Sequence, residues 1–107
     1  MTARKRWIAG QLRAKGDIVI DNGAVHALQQ RGVSLLAVGI LGVRGDFRRG
    51  DVVRCLDQNN EVIAQGLSNY GYAEVEAIKG LGSDAYFEAI GYAAEEEVVH
   101  RDNLVLI

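Results

Sequence analysis

The chain has 107 residues, one cysteine, no proline and a formal net charge of −2. One cysteine excludes an internal disulfide, no run approaches the roughly 18 apolar residues of a membrane span, and the mildly acidic balance argues against a strongly basic nucleic-acid binder. With 49% hydrophobic residues, the length fits one domain that buries roughly 65% of the surface its unfolded chain exposes.

Arg4, Lys5, Arg6 and Trp7 open the chain. This segment is basic and lacks an apolar h-region, so it is no secretory signal. Residues 1–8 read as a basic arm, and with the unpaired Cys55 they point to the cytoplasm. Asp17-Ile-Val-Ile20 is a short β-branched strand. Asp21 or Asn22 then caps a helix over residues 23–31, in which Ala24, Ala27, Leu28 and Arg31 recur at helical spacing. Arg31 in the last turn complements the helix dipole, and Gly32 suits the C′ position.

The apolar run from Leu35 to Val43 stops at Gly45-Asp46, and Gly50-Asp51 opens the next run at Val52. Glycine takes positive φ at no cost and aspartate bonds its own backbone, so the pattern reads strand, tight polar turn, strand. Strands are predicted over 38–44, 51–57 and 61–68, the last two joined by the hairpin loop Asp57-Gln-Asn-Asn60. Cys55 lies inside an apolar strand and reads as a small buried hydrophobe.

A second helix is predicted from Tyr72 to Lys79, ending at Gly80. Glu74 sits three residues after Gly71, as in a capping box with glycine in place of serine or threonine. A third short helix fits Asp84 to Ile90, with Ser83 as its cap, Phe87 and Ile90 as its apolar side and Gly91 as its stop. Val98-Val-His100 and Leu104 to Ile107 flank a polar Arg101-Asp-Asn103, reading as a final strand pair or one bulged strand. The sum is a mainly β fold with short α-helices, most simply an antiparallel barrel of about six strands whose ends the helices cover.

Charge is distributed unevenly. Residues 1–56 hold ten Lys/Arg against four Asp/Glu, and residues 57–107 hold two against ten. The halves either attract each other or leave a basic face on an acidic body. Enzymatic constellations are poorly represented. His26 and His100 lie on different elements and neither has a Cys or His at metal spacing. There is no GxxxxGK[ST], no strand–GxGxxG–helix unit, and no nucleophile-elbow context around Ser34, Ser68 or Ser83. Glu95-Glu96-Glu97 reads as a solvated turn.

Two features are candidates for binding. Arg44, Arg48 and Arg49 flank the strand–turn–strand, with Arg31 near its start. They are either solvated turn residues or guanidinium groups that track phosphates. Asn69-Tyr70-Gly71-Tyr72 stands at a strand-to-helix junction. An exposed tyrosine there would stack on bases, whereas a buried one would fill the barrel mouth with its hydroxyl on backbone.

Lys5-Arg-Trp-Ile8, Asp21-Asn-Gly-Ala24, Ser34-Leu-Leu36, Gly45-Asp-Phe47, Gly50-Asp51, Gly66, Asn69-Tyr70 and His100-Arg-Asp-Asn-Leu104 follow one another in that order. Over essentially the whole chain, from about Arg4 to Leu106, this series resembles the C-terminal PUA domain of the glutamate 5-kinase family. Ala37 stands where that family has proline, Gly71-Tyr72 where it has Ser-Ser, and the segment between helices two and three is short. The resemblance implies a PUA-like pseudo-barrel, residues 1–107, that is a regulatory or interaction domain without catalytic residues. It implies that a kinase domain precedes Met1 and that ATP and Mg²⁺ belong to that domain, with no cofactor here. The parent reaction would be phosphorylation of L-glutamate in proline biosynthesis. The implied partners are that kinase domain and sister subunits, met through the arm Arg4, Lys5, Arg6 and Trp7. The wider PUA family implies structured RNA, met through Arg31, Arg44, Arg48, Arg49, Asn69 and Tyr70.

Overall fold

Helix α1 spans Ala3–Ala9, β1 Gly16–Ile20, α2 Asn22–Arg31, β2 Leu35–Leu36 and β3 Ile40–Gly45. Strands β4 Val52–Leu56 and β5 Val62–Leu67 follow, then α3 Tyr72–Ile78, α4 Tyr86–Ile90, β6 Glu97–Val99 and β7 Leu104–Leu106. The computed structural model describes residues 1–107.

Local signals explain most of these elements. The Asp21 side chain accepts from the Ala24 amide at 2.7 Å and starts α2. At the Asp57–Asn60 hairpin, Asp57 Oδ1 accepts from the amides of Asn59 and Glu61 at 2.8 and 2.9 Å. Glu74 accepts from the Gly71 amide at 2.7 Å, one arm of a capping box. Gly45 and Gly50 take φ of +100° and +90° at the two Gly-Asp corners.

The β architecture corrects the antiparallel closed barrel in three respects. The main sheet is mixed, in the order β3-β1-β4-β5-β7, with β1 parallel to β4 and the other neighbours antiparallel. Strands β3 and β7 are its edges, and a separate β2-β6 pair stands beside it, seven strands in all. The strand expected over 38–44 begins only at Ile40, after a 3₁₀ turn at Ala37–Gly39. The reason is tertiary: the Ala37 amide donates to the Tyr86 hydroxyl and its carbonyl accepts from the Gly80 amide, so no strand can pair there. Gly39 permits this, since a Cβ at that position would come within 2.8 Å of Ala24 Cβ.

The last two strands do not pair with each other. Strand β6 pairs with β2 (Leu35 opposite Val99) and β7 with β5 (Gln65 opposite Val105), because the 3₁₀ turn Arg101–Asn103 carries the chain from one sheet to the other. The cap expected at Ser83 is also corrected. A 3₁₀ turn occupies Ser83–Ala85, α4 starts only at Tyr86, and the Ser83 hydroxyl turns to Glu96 instead.

The inward face of the sheet presents Ile18, Ile20, Val53, Cys55 and Ala64 to a core completed by Leu28, Tyr70, Val75, Ile78 and Tyr86. Outward lies the row Arg44, Asp17, Arg54, Gln65, Val105, matched in register across all five strands. Arg54 Nε pairs with Asp17 at 2.8 Å within it. Helix α1 lies against β5 and β7 on that side, burying Ile8 completely and sheltering a second, smaller apolar layer. No helix is long and apolar enough to cross a membrane.

Candidate functional site

The six residues expected to meet RNA fall at three places. Arg48, Arg49, Asn69 and Tyr70 share one corner, built by the turn after β3 and the end of β5. Phe47 anchors this corner, 2% exposed and edge-on to Tyr72, and its carbonyl accepts from the Tyr72 amide at 2.9 Å. Arg49 grips the acidic segment through a bidentate pair with Glu95, both contacts at 2.6 Å, and also donates to the Asn69 carbonyl at 2.9 Å. The shared hydrogen bonds push the Arg49 guanidinium up from its ordinary pKa and hold the Glu95 carboxyl below the usual carboxylate range. Arg49 is therefore already charge-matched within the domain.

Of the two readings of Tyr70, the structure bears out the buried one, with the hydroxyl on backbone, and not the exposed stacking one. Tyr70 is 1% exposed, its hydroxyl donates to the Glu95 carbonyl and accepts from the Glu95 amide at 3.0 Å. Its ring meets Tyr86 edge-on at 6.1 Å. Asn69 is also committed: its side chain donates to the Glu97 carbonyl at 3.0 Å and its amide to the Val98 carbonyl at 2.7 Å. Tyr70, Tyr86 and Arg49 together hold down residues 95–96, for Tyr86 donates to the Glu96 carbonyl at 3.0 Å. Burial pushes the Tyr86 hydroxyl upward in pKa, so it remains a donor.

Arg31 stands elsewhere, on the wall of a groove of about 320 Å³ between α2 and the segment Val33–Gly39, shared with Asp21, Ala24, Ser34 and Val38. Arg44 lies on edge strand β3 and reaches the hairpin, donating to Asn60 Oδ1 at 2.9 Å. Arg31, Arg44 and Arg48 have no carboxylate in ion-pair range.

The basic arm is a helix. Thr2 caps it by accepting from the Lys5 amide, Arg4 donates to Asn103 at 2.8 Å, and Trp7 remains exposed. Gln65 is the residue that sequence reasoning passed over. It is buried on β5, and its Nε2 donates to the carbonyls of Ile8 at 2.7 Å and Gln11 at 2.9 Å, closing the C-terminal end of α1. Its one signal was a lone amide among apolar neighbours in the strand.

No three His, Cys, Asp or Glu side chains converge so as to hold a metal ion. Cys55 is buried and its thiol is pushed up to about 12 by desolvation, which leaves it protonated and inert.

The PUA domain family profile matches residues 16–86. Glutamate 5-kinase of Pseudomonas entomophila (strain L48) is 50% identical over 107 residues, covering 100% of this chain and 29% of that protein, in its C-terminal region. The chain thus spans less than a third of the length of the curated relatives it matches. Among solved structures, a PUA domain from Aeropyrum pernix K1 in complex with tartrate superposes with a TM-score of 0.59 at 30% identity, covering 80% of this chain and 41% of that one. A chain of an H/ACA ribonucleoprotein bound to a substrate RNA containing 2′-deoxyuridine gives a TM-score of 0.55 at 25% identity, covering 81% and 25%. Two-thirds of this chain lies within the family profile, and the mixed sheet superposes on those neighbours: the chain belongs to the PUA domain family.

Proposed function

We propose that this chain is the non-catalytic regulatory and contact domain of a glutamate 5-kinase. The reading rests on one observation: the whole chain aligns at 50% identity with the C-terminal region of such kinases. The parent enzyme would transfer the γ-phosphate of ATP to the side-chain carboxylate of L-glutamate, forming glutamyl 5-phosphate for proline biosynthesis in the cytoplasm. ATP and Mg²⁺ would be held by the kinase domain that precedes this one, and the present domain would act through contact with that domain and with sister subunits. Incubation of this chain with ATP, Mg²⁺ and glutamate is expected to yield no glutamyl phosphate, assayed as the hydroxamate. Turnover above blank would refute the reading.

A second reading, RNA binding, is favoured by Arg31, Arg44 and Arg48, three of the arginines that have no carboxylate in ion-pair range, and by the RNA-bound neighbour. If they meet three phosphates, affinity for a structured RNA should fall with salt at a log–log slope of about −2 to −3. An absence of binding at low salt would remove this reading.

A further inference from the structure

Two exposed aromatic patches carry opposite charge. The first is α1 with the turn behind it, where Trp7 is 55% and Leu12 98% exposed. The second is α4 with the turn behind it, where Phe87 is 65% and Tyr92 44% exposed. Residues 1–16 contain five Lys/Arg and no Asp or Glu, whereas residues 80–100 contain five Asp/Glu and no Lys or Arg. Beside the first patch, Asp102 lies near Arg4 and Lys5 at the start of α1. Around the second, Arg49 engages Glu95. Arg6 and Arg13 on one side, and Asp84 and Glu88 on the other, have no ion-pair partner.

Both patches are firmly mounted. Ile8 is fully buried beneath α1, and Gln65 and Asn103 hold its backbone end and Arg4. Tyr86 roots α4 in the core. Yet the patches cannot meet within one molecule. Helix α1 rests on the outward side of β5 and β7, and α4 rests on α3 on the core side, so the main sheet stands between them.

We propose that a second copy of this chain brings them together. The α1 face of one copy docks on the α4 face of the next, with Trp7 and Leu12 against Phe87 and Tyr92 and with Arg6 and Arg13 opposite Asp84 and Glu88. Tryptophan, tyrosine and arginine are the types that dominate association energies, and charge complementarity sets the orientation. Because the two faces differ, the contact is heterologous and propagates head to tail, closing into a ring or growing as an open chain. The proposal rests on the contact role argued above and assigns that role a surface.

Trp7 is the only tryptophan, so its emission reports this face alone. Raising the concentration of the chain from micromolar to millimolar at low salt is expected to increase its sedimentation coefficient and shift Trp7 emission to the blue. Raising ionic strength from about 0.05 M to about 0.5 M should weaken the association about tenfold, because exposed charges are then screened within a few ångströms. The pair Arg6→Glu/Arg13→Glu and the pair Asp84→Arg/Glu88→Arg, all surface changes whose folding circular dichroism verifies, should each sediment as monomers. Mixed one to one, they should associate, since each reversed face then meets its complement. A chain that stays monomeric with unshifted Trp7 emission, or a mixture that fails to associate, overturns the proposal. So does shielding of Trp7 found only in a longer monomer carrying the preceding domain. Failure of the contact role itself would show differently, as phosphoryl transfer by this chain.

Discussion

Replacing Gly45 with alanine is expected to lower the unfolding free energy by about 2–6 kcal/mol, the sum of a left-handed backbone strain of about 1–3 kcal/mol and an overpacking cost of about 1–3 kcal/mol. Gly45 sits at φ +100°, and a Cβ there would come within 2.6 Å of both Gly16 Cα and the Lys15 carbonyl oxygen. Both obstacles are backbone, so no side chain can swing aside. Gly16 is itself the register partner of Gly45, and relief would require parting β1 from β3, the edge of the sheet. A domain of this size has only about 5–15 kcal/mol of total stability, so the variant should be partly unfolded at 37 °C. Gly42→Ala is the matched control. It lies on the same strand with nothing within 4 Å of its would-be Cβ, and it should shift the urea midpoint little. Equal midpoints for the two variants would show that the corner is not constrained as described.

Tyr70→Ala is expected to cost about 3–5 kcal/mol, the usual range for removing a buried aromatic ring. Tyr70→Phe should cost about 1–3 kcal/mol, because it leaves the amide and carbonyl of Glu95 without their shared partner. Urea denaturation of both separates ring from hydroxyl. The same pair decides what the residue is for. If Tyr70 stacked on a base, Tyr70→Phe would keep the stacking face and the stability. If it fastens the 95–96 segment, as the burial and the paired Glu95 bonds indicate, the phenylalanine variant is destabilised and any RNA affinity of the folded protein is unchanged. A fully stable Tyr70→Phe would contradict the fastening role.

Arg49 and Tyr70 act on the same segment from two sides. The guanidinium holds the Glu95 carboxylate and the phenol holds its backbone. The Glu95 carboxyl is depressed in the folded state, so the stabilisation it confers is present above its unfolded pKa and fades as pH falls through the folded one. The pair is solvent-exposed, which keeps this contribution modest. The Glu95-Glu96-Glu97 run, expected as a solvated turn, is thus tethered at Glu95 and Glu96 and enters strand β6 at Glu97.

Much of this molecule was legible in its residues because the signals are local. Asp21 caps α2, Asp57 closes a hairpin, Glu74 bonds back to Gly71 and the Gly-Asp pairs turn corners, each within about four positions in the chain. The proposal of a contact role draws on a signal of the same local kind: the residue types that chemistry requires at short spacing are missing from every segment. What local pattern could not supply was any feature whose partner lies far along the chain. Whether β1 lies parallel to β4, why Ala37 leaves the strand for Tyr86 and Gly80, and which sheet each closing strand joins depend on groups meeting across about 37 positions or more. Tyr70 reads the same in sequence whether buried or exposed, and the arm at residues 1–8 shows too few apolar positions for a helical period. Its helix exists because Gln65, 57 positions from Ile8, takes up the carbonyls that a short free helix would leave to water. Capping and turning are decided by neighbours in the chain, whereas strand pairing and burial are decided by neighbours in space.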